Sequence, residues 1–132
     1  MALRLIGRSP VQYVLEGYAK PGDQYITFPD AKNINPTPNQ YQVRPGTGMW
    51  LVTLTASDPE AQVRVAMQNR KPLVGQGSVT TCGRNENPDL WVLASPVSRL
   101  EQETSYVLTL TKTSPPPLRN CVLARLGVGL WR

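Results

Sequence analysis

The feature that most limits what this chain can fold into is a one-by-one alternation of apolar and polar residues, in short runs cut off by proline or glycine. The strongest run is Met49–Ala56, in which Trp50, Val52, Leu54 and Ala56 share one face and Leu51, Thr53 and Thr55 the other. Aromatic and β-branched residues at period two fill a pleated surface well, so the run reads as a strand. Pro45-Gly46-Thr47-Gly48 precedes it and Ser57-Asp58-Pro59 follows it. Its mixed second face predicts an interior strand whose outer side is partly covered. Ser105–Thr113 repeats the pattern, with Tyr106, Leu108 and Leu110 opposite Val107, Thr109 and Thr111. Ala61–Gln68 does so with Val63, Val65 and Met67 inward, and Asn120–Leu126 with Val122, Ala124 and Leu126 on one face.

Shorter candidates fill the gaps: Leu3–Ile6, Val11–Glu16, Gln24–Phe28, Tyr41–Val43, a polar glycine-bearing strand Gly75–Cys82, and Leu90–Ala94, apolar on both faces. About eight to ten strands at roughly 8–12-residue spacing mark a sandwich or barrel. The 13 prolines, about twice the usual share, and the 10 glycines argue against a helical protein. The one helix candidate, Pro96–Glu103, has Leu100 as its sole apolar anchor and predicts a helical turn at most. At 132 residues the chain is expected to be one all-β domain, a β-sandwich or jelly roll. Within it, residues 1–47 read as irregular strands and a partner-binding arm, and 48–132 as the regular sandwich core. Deleting the first third is then expected to leave a folded sandwich that no longer docks.

Charge says less. The formal net charge is +5, but only Arg70 and Lys71 are adjacent among the 14 basic residues. No polybasic run suggests a nucleic-acid arm. Charged residues make up 17% of the chain, below the ~25% of an average domain, which suggests a surface meant partly for partners. No apolar stretch is long enough to span a membrane, and Met1–Arg8 does not read as a secretory signal. Cys82 and Cys121 allow one bridge arithmetically; in a reducing compartment both thiols are expected to stay free.

Reactive chemistry finds no foothold. General acid–base catalysis usually needs histidine or a tuned carboxylate pair. Histidine is absent, and Asp58/Glu60, Glu86/Asp89 and Glu101/Glu103 fall in expected turns. Neither cysteine has a histidine to activate it, or to complete a zinc site with it. Gly75-Gln76-Gly77 and Gly46-Thr47-Gly48 lack the Lys-Ser/Thr of a phosphate loop and read as turns. The expectation is a protein that is not an enzyme and needs no metal or cofactor. Trp50, Trp91 and Tyr106 read as core. Tyr13, Tyr18, Tyr25, Phe28 and Tyr41, in the irregular third, and Trp131 near the end, are the candidate partner contacts, because aromatic residues dominate interface hot spots.

The strands Met49–Ala56, Ala61–Gln68, Leu90–Ala94, Ser105–Thr113 and Asn120–Leu126 look like a small jelly roll. With the Trp-Arg ending, the Tyr- and Pro-rich first third and the low charge, the chain resembles the cement or decoration proteins of tailed-bacteriophage capsids. That resemblance implies a virion protein, assembled in the host cytoplasm, docking on the capsid exterior as a dimer or trimer. Its partner would be the major capsid protein, with no direct contact to nucleic acid or membrane, and it would hold the shell against internal DNA pressure. The alternatives are a carbohydrate-binding sandwich, with Trp91 or Trp131 on an open concave face, and another virion part such as a tail or vertex protein.

Overall fold

The computed structural model describes residues 11–33, 39–68, 70–97 and 101–113. Its strands are β1 (Gln12–Ala19), β2 (Lys32–Asn33), β3 (Gln40–Val43), β4 (Gly48–Ala56), β5 (Gln62–Met67), β6 (Leu73–Gln76), β7 (Ser78–Asn85), β8 (Leu90–Pro96) and β9 (Thr104–Thr113). They form a four-stranded sheet, ordered β1-β9-β4-β7, and a five-stranded sheet, ordered β2-β3-β8-β5-β6. Every pairing is antiparallel. Apart from the two-residue β2, the chain mostly alternates between the sheets, and every strand but β6, which pairs with β5, has a partner remote in sequence. That order is a jelly roll, which buries one face of each sheet against the other.

The alternation places the core. Trp50, Val52 and Leu54 of β4 and Leu108 and Leu110 of β9 are buried without residue from one side, and Val63, Val65, Val92 and Ala94 from the other. Each of these valines and leucines stabilises the sandwich by roughly 1.5–3 kcal/mol through burial. β4 lies between β9 and β7, with Met49, Leu51 and Thr53 half-buried on its outer face, as its mixed pattern predicts. On that face the Thr53 and Thr80 hydroxyls share a hydrogen bond of 2.9 Å, and Thr55 and Ser78 one of 3.1 Å. The Trp50 indole N–H donates to the Gly46 carbonyl at 3.0 Å, and the Asn85 amide donates to the same carbonyl at 2.9 Å. Together they tie the Pro45-Gly46 turn to the end of β7.

The first third is built into this core rather than hung beside it. β1 pairs with β9 along its whole length, and β3 pairs with β8. Gln24–Phe28 is not a strand: one bridge, Tyr18 to Thr27, is all that pairs it. At that bridge the segment crosses β1 so closely that a Cβ on Gly17 would stand 2.5 Å from the Thr27 carbonyl oxygen. Ile26 and Phe28 nonetheless enter the core beside Ala19 and Tyr41. The division into an arm and a separate sandwich is corrected accordingly: residues 12–43 supply strands to both sheets.

Gly75–Cys82 is corrected as well. It is the end of β6 and the start of β7, which lie in different sheets. The chain changes layer at Gly77, whose φ of +77° suits glycine. Its N–H donates to the Ala61 carbonyl at 2.6 Å, and its carbonyl accepts from Ala56 at 2.8 Å. Of the expected Pro96–Glu103 turn, residues 96, 97 and 101–103 are described and carry no helix. Leu3–Ile6 and Asn120–Leu126 lie outside the described residues. Cys82 is disulfide-bonded, which corrects the expectation of free thiols; Cys121 lies outside the described residues. Among the described residues no helix is long and apolar enough to cross a membrane.

Candidate interaction surface

Seven large apolar residues stay exposed among the described residues, and five of them fall within one short stretch: Val11 (49%), Tyr13 (43%), Val14 (53%), Tyr18 (36%) and Tyr25 (45%). β1 explains the clustering. Among the described residues it is an outermost strand of its sheet. Val14, Glu16 and Tyr18 point outward beside Thr109, Val107 and Ser105 of β9. Tyr13 points the other way and lies over Trp50, with ring centroids 5.8 Å apart and planes tilted by 46°. Tyr25 follows the Lys20–Asp23 turn, in which the Asp23 carboxylate accepts from the Lys20 N–H at 2.8 Å.

Beneath Tyr13 a slot of about 380 Å³ opens between the sheets. Leu15, Val43 and Leu110 line it, and Asp30, Gln42, Arg44 and Asp89 give it polar walls. Arg44 pairs with Asp89 at 3.4 Å, and the Gln42 amide donates to the same carboxylate at 3.1 Å. With the Arg44 side chain 76% exposed, this pair contributes little to stability.

The six candidate contacts therefore divide. Tyr13 and Tyr18 are exposed on opposite faces of β1, and Tyr25 is exposed beyond the turn that follows it. Phe28 (4% exposed) and Tyr41 (1%) are core residues and are corrected as contacts. Their rings meet edge to face at 5.0 Å and 83°, and the Tyr41 hydroxyl donates to the Ile26 carbonyl. Burial pushes the Tyr41 hydroxyl up to about 12, with the neighbouring Tyr25 adding to the rise. Trp131 lies outside the described residues.

Trp91 is corrected in the opposite sense. It is half-buried on the outer face of the five-stranded sheet and lines a second cavity, also about 380 Å³. Val11 and Val14 were missed as surface residues because a valine in an alternating run reads as a core position, and only the place of β1 in the sheet order says otherwise.

The carboxylate pairs serve local structure where they make contacts. Asp58 accepts from the Glu60 N–H at 2.9 Å, and Glu60 accepts from the Gln76 amide at 2.9 Å. Asp89 is held by Arg44 and Gln42, while Glu86, Glu101 and Glu103 are exposed. Among the described residues no three potential metal ligands gather. Tyr106, buried in the core, has its hydroxyl pushed up by desolvation and then by the nearby Asp58 charge.

No family model and no curated protein matches the sequence. Among solved structures, the chain is similar to the globular domain of zebrafish complement 1qA protein, with a TM-score of 0.45 and 12% identity, over 81% of this chain and 98% of that one.

Proposed function

We propose that this chain is a non-enzymatic structural protein that docks through its β1 side onto a protein lattice, the exterior of a virus capsid, and braces neighbouring subunits. The observation that carries the docking is the exposure of Val14 and Tyr18 on the outer face of β1, with Val11, Tyr13 and Tyr25 exposed along and beside the same strand. Exposed apolar residues scattered singly need no explanation, but five along and beside one strand, three of them tyrosines, have the make-up of an interface. The capsid as partner rests on the likeness in sequence texture to phage cement proteins. Mechanical bracing follows from linkage: a protein that binds only the assembled shell stabilises assembly by mass action, and repeated copies add avidity.

Sedimentation of the purified chain with capsid shells that lack it tests the reading. The expected result is saturable binding at a fixed ratio to the major capsid subunit, a higher rupture temperature for the decorated shell, and loss of both in a Val14→Glu/Tyr18→Glu double variant. Absence of co-sedimentation, or unchanged binding by the double variant, rejects it.

A further inference from the structure

The outer face of the four-stranded sheet is open at one margin and closed near the other. On β1, Val14 and Tyr18 are exposed; on β7, Cys82 is fully buried. The register turns all three outward, with Val14 opposite Thr109, Tyr18 opposite Ser105 and Cys82 opposite Leu51. Among the described residues β7 is the outermost strand on its side, and its outward-facing Ser78 and Arg84 are exposed. Met49 and Leu51 of β4 pack against Cys82 and are themselves half-buried. One neighbouring strand shields an outward side chain from one side only. Cys82 therefore loses its whole surface because something else lies against it.

The bond at Cys82 says what that is. Cys82 is disulfide-bonded within a single chain, and Cys121 is the one other cysteine of that chain. A disulfide holds its two Cα atoms about 4–7 Å apart. Cys121 therefore brings its apolar sequence neighbours Leu118, Val122 and Leu123 to this face. The path is short enough. β9 ends at Thr113, opposite Met49, whose carbonyl accepts from the Thr113 hydroxyl at 3.4 Å. From there Cys82 lies two strands across and two positions along, about 10 Å by about 7 Å. The eight residues 114–121 can span about 26 Å, enough to turn back over the sheet.

We propose that the chain's own C-terminal segment, residues 114–126, docks on the outer face of β4 and β7, clipped at Cys82, and covers Met49 and Leu51. The face is thereby divided. The end around Leu51 and Cys82 is taken by the chain itself, and the end around Val14 and Tyr18 is left to a partner. The clip makes the cover redox-dependent. Two electrons and two protons from a dithiol split the S–S bond into two thiols, and the dithiol becomes a disulfide. Apolar contact alone then holds the segment down. This cover stands whether or not the partner of β1 is a capsid.

NMR of the full chain, methyl-labelled and kept oxidised, tests the proposal. Nuclear Overhauser cross-peaks are expected from the Met49 and Leu51 methyl groups to those of Leu118, Val122 or Leu123, and none from Val14. Trypsin is expected to cut after Arg119 and Arg125 about tenfold faster once the bridge is reduced with dithiothreitol, and likewise in Cys121→Ser, because opening exposes the segment. Slow cleavage after Arg64, inside β5, marks a sandwich that is still folded. Leu51→Asp, with the bridge intact, is expected to speed the cleavage after Arg119 and Arg125 several-fold. Absence of the cross-peaks in the oxidised chain, or cross-peaks from Val14 in place of Leu51, overturns the proposal. So do equal cleavage rates with and without the bridge, or a bridge found between two copies on a non-reducing gel.

Discussion

The ring of Phe28 fills the space where a side chain on Gly17 would stand: a Cβ there would meet the ring at 2.6 Å. This contact lets a segment with a single bridge deliver Ile26 and Phe28 to the core. Gly17→Ala is expected to force the segment away from β1 and to cost about 1–3 kcal/mol, as overpacking does elsewhere. Urea denaturation measures it, and an unchanged midpoint would contradict the packing described.

Removal of residues 1–47 is expected to abolish cooperative folding, contrary to the picture of a detachable arm. The cut takes away β1 and β3 together with Ala19, Ile26, Phe28 and Tyr41. Leu110, Leu108 and Val92 would then lose their cover at once. Calorimetry of the truncated chain should show no sharp transition; a sharp one would show that the remaining strands suffice.

Alkali should destabilise the fold through Tyr41. Its hydroxyl ionises near pH 10 in the unfolded chain and near 12 in the folded one. Below pH 10 both states keep the proton, and the stabilising contact is present in full. Between the two values only the unfolded chain loses its proton, so stability falls as pH rises. Tyr41→Phe is expected to lower stability at neutral pH by about 1 kcal/mol, through the lost hydrogen bond, and to flatten the decline between pH 10 and 12. Melting temperatures across that interval check both parts.

Reduction is expected to weaken the protein. Cys82 is disulfide-bonded, and the chain carries one other cysteine, Cys121. Cys82→Ser should lower stability by about 2–5 kcal/mol, the usual cost of losing a native bridge. Peptide mapping without reductant is expected to recover the two cysteines in one linked pair.

How much of this was legible beforehand depended on the kind of signal. β4, β5 and β9 could be read because side chains that alternate between core and outer face leave a period of two. The corner at Gly77 could not, because a layer change at one glycine interrupts no polarity pattern. Phe28 and Tyr41 read as contacts because their surroundings are rich in proline and polar residues, yet Phe28 packs over Gly17 and Tyr41 faces inward from β3. Trp91 looked like core because its neighbours in sequence are apolar, yet it points outward between Leu90 and Val92, which point in. The Trp91 cavity joins residues from β3, β5 and β8 that no local window brings together. The disulfide was arithmetically open, but the presumed compartment argued against it.

The turn at Gly77 also shows where the two layers are pinned. There the two layers are stitched by a single residue, as pages are held at a spine, and they cannot part without tearing backbone hydrogen bonds to Ala56 and Ala61. Near Val43 the two layers are joined again by the crossing through residues 44–47, whose Gly46 N–H donates to the Pro88 carbonyl at 3.0 Å. A side chain at position 77 would meet the Pro59 carbonyl oxygen at 2.9 Å while holding a φ of +77°, so this seam admits glycine alone.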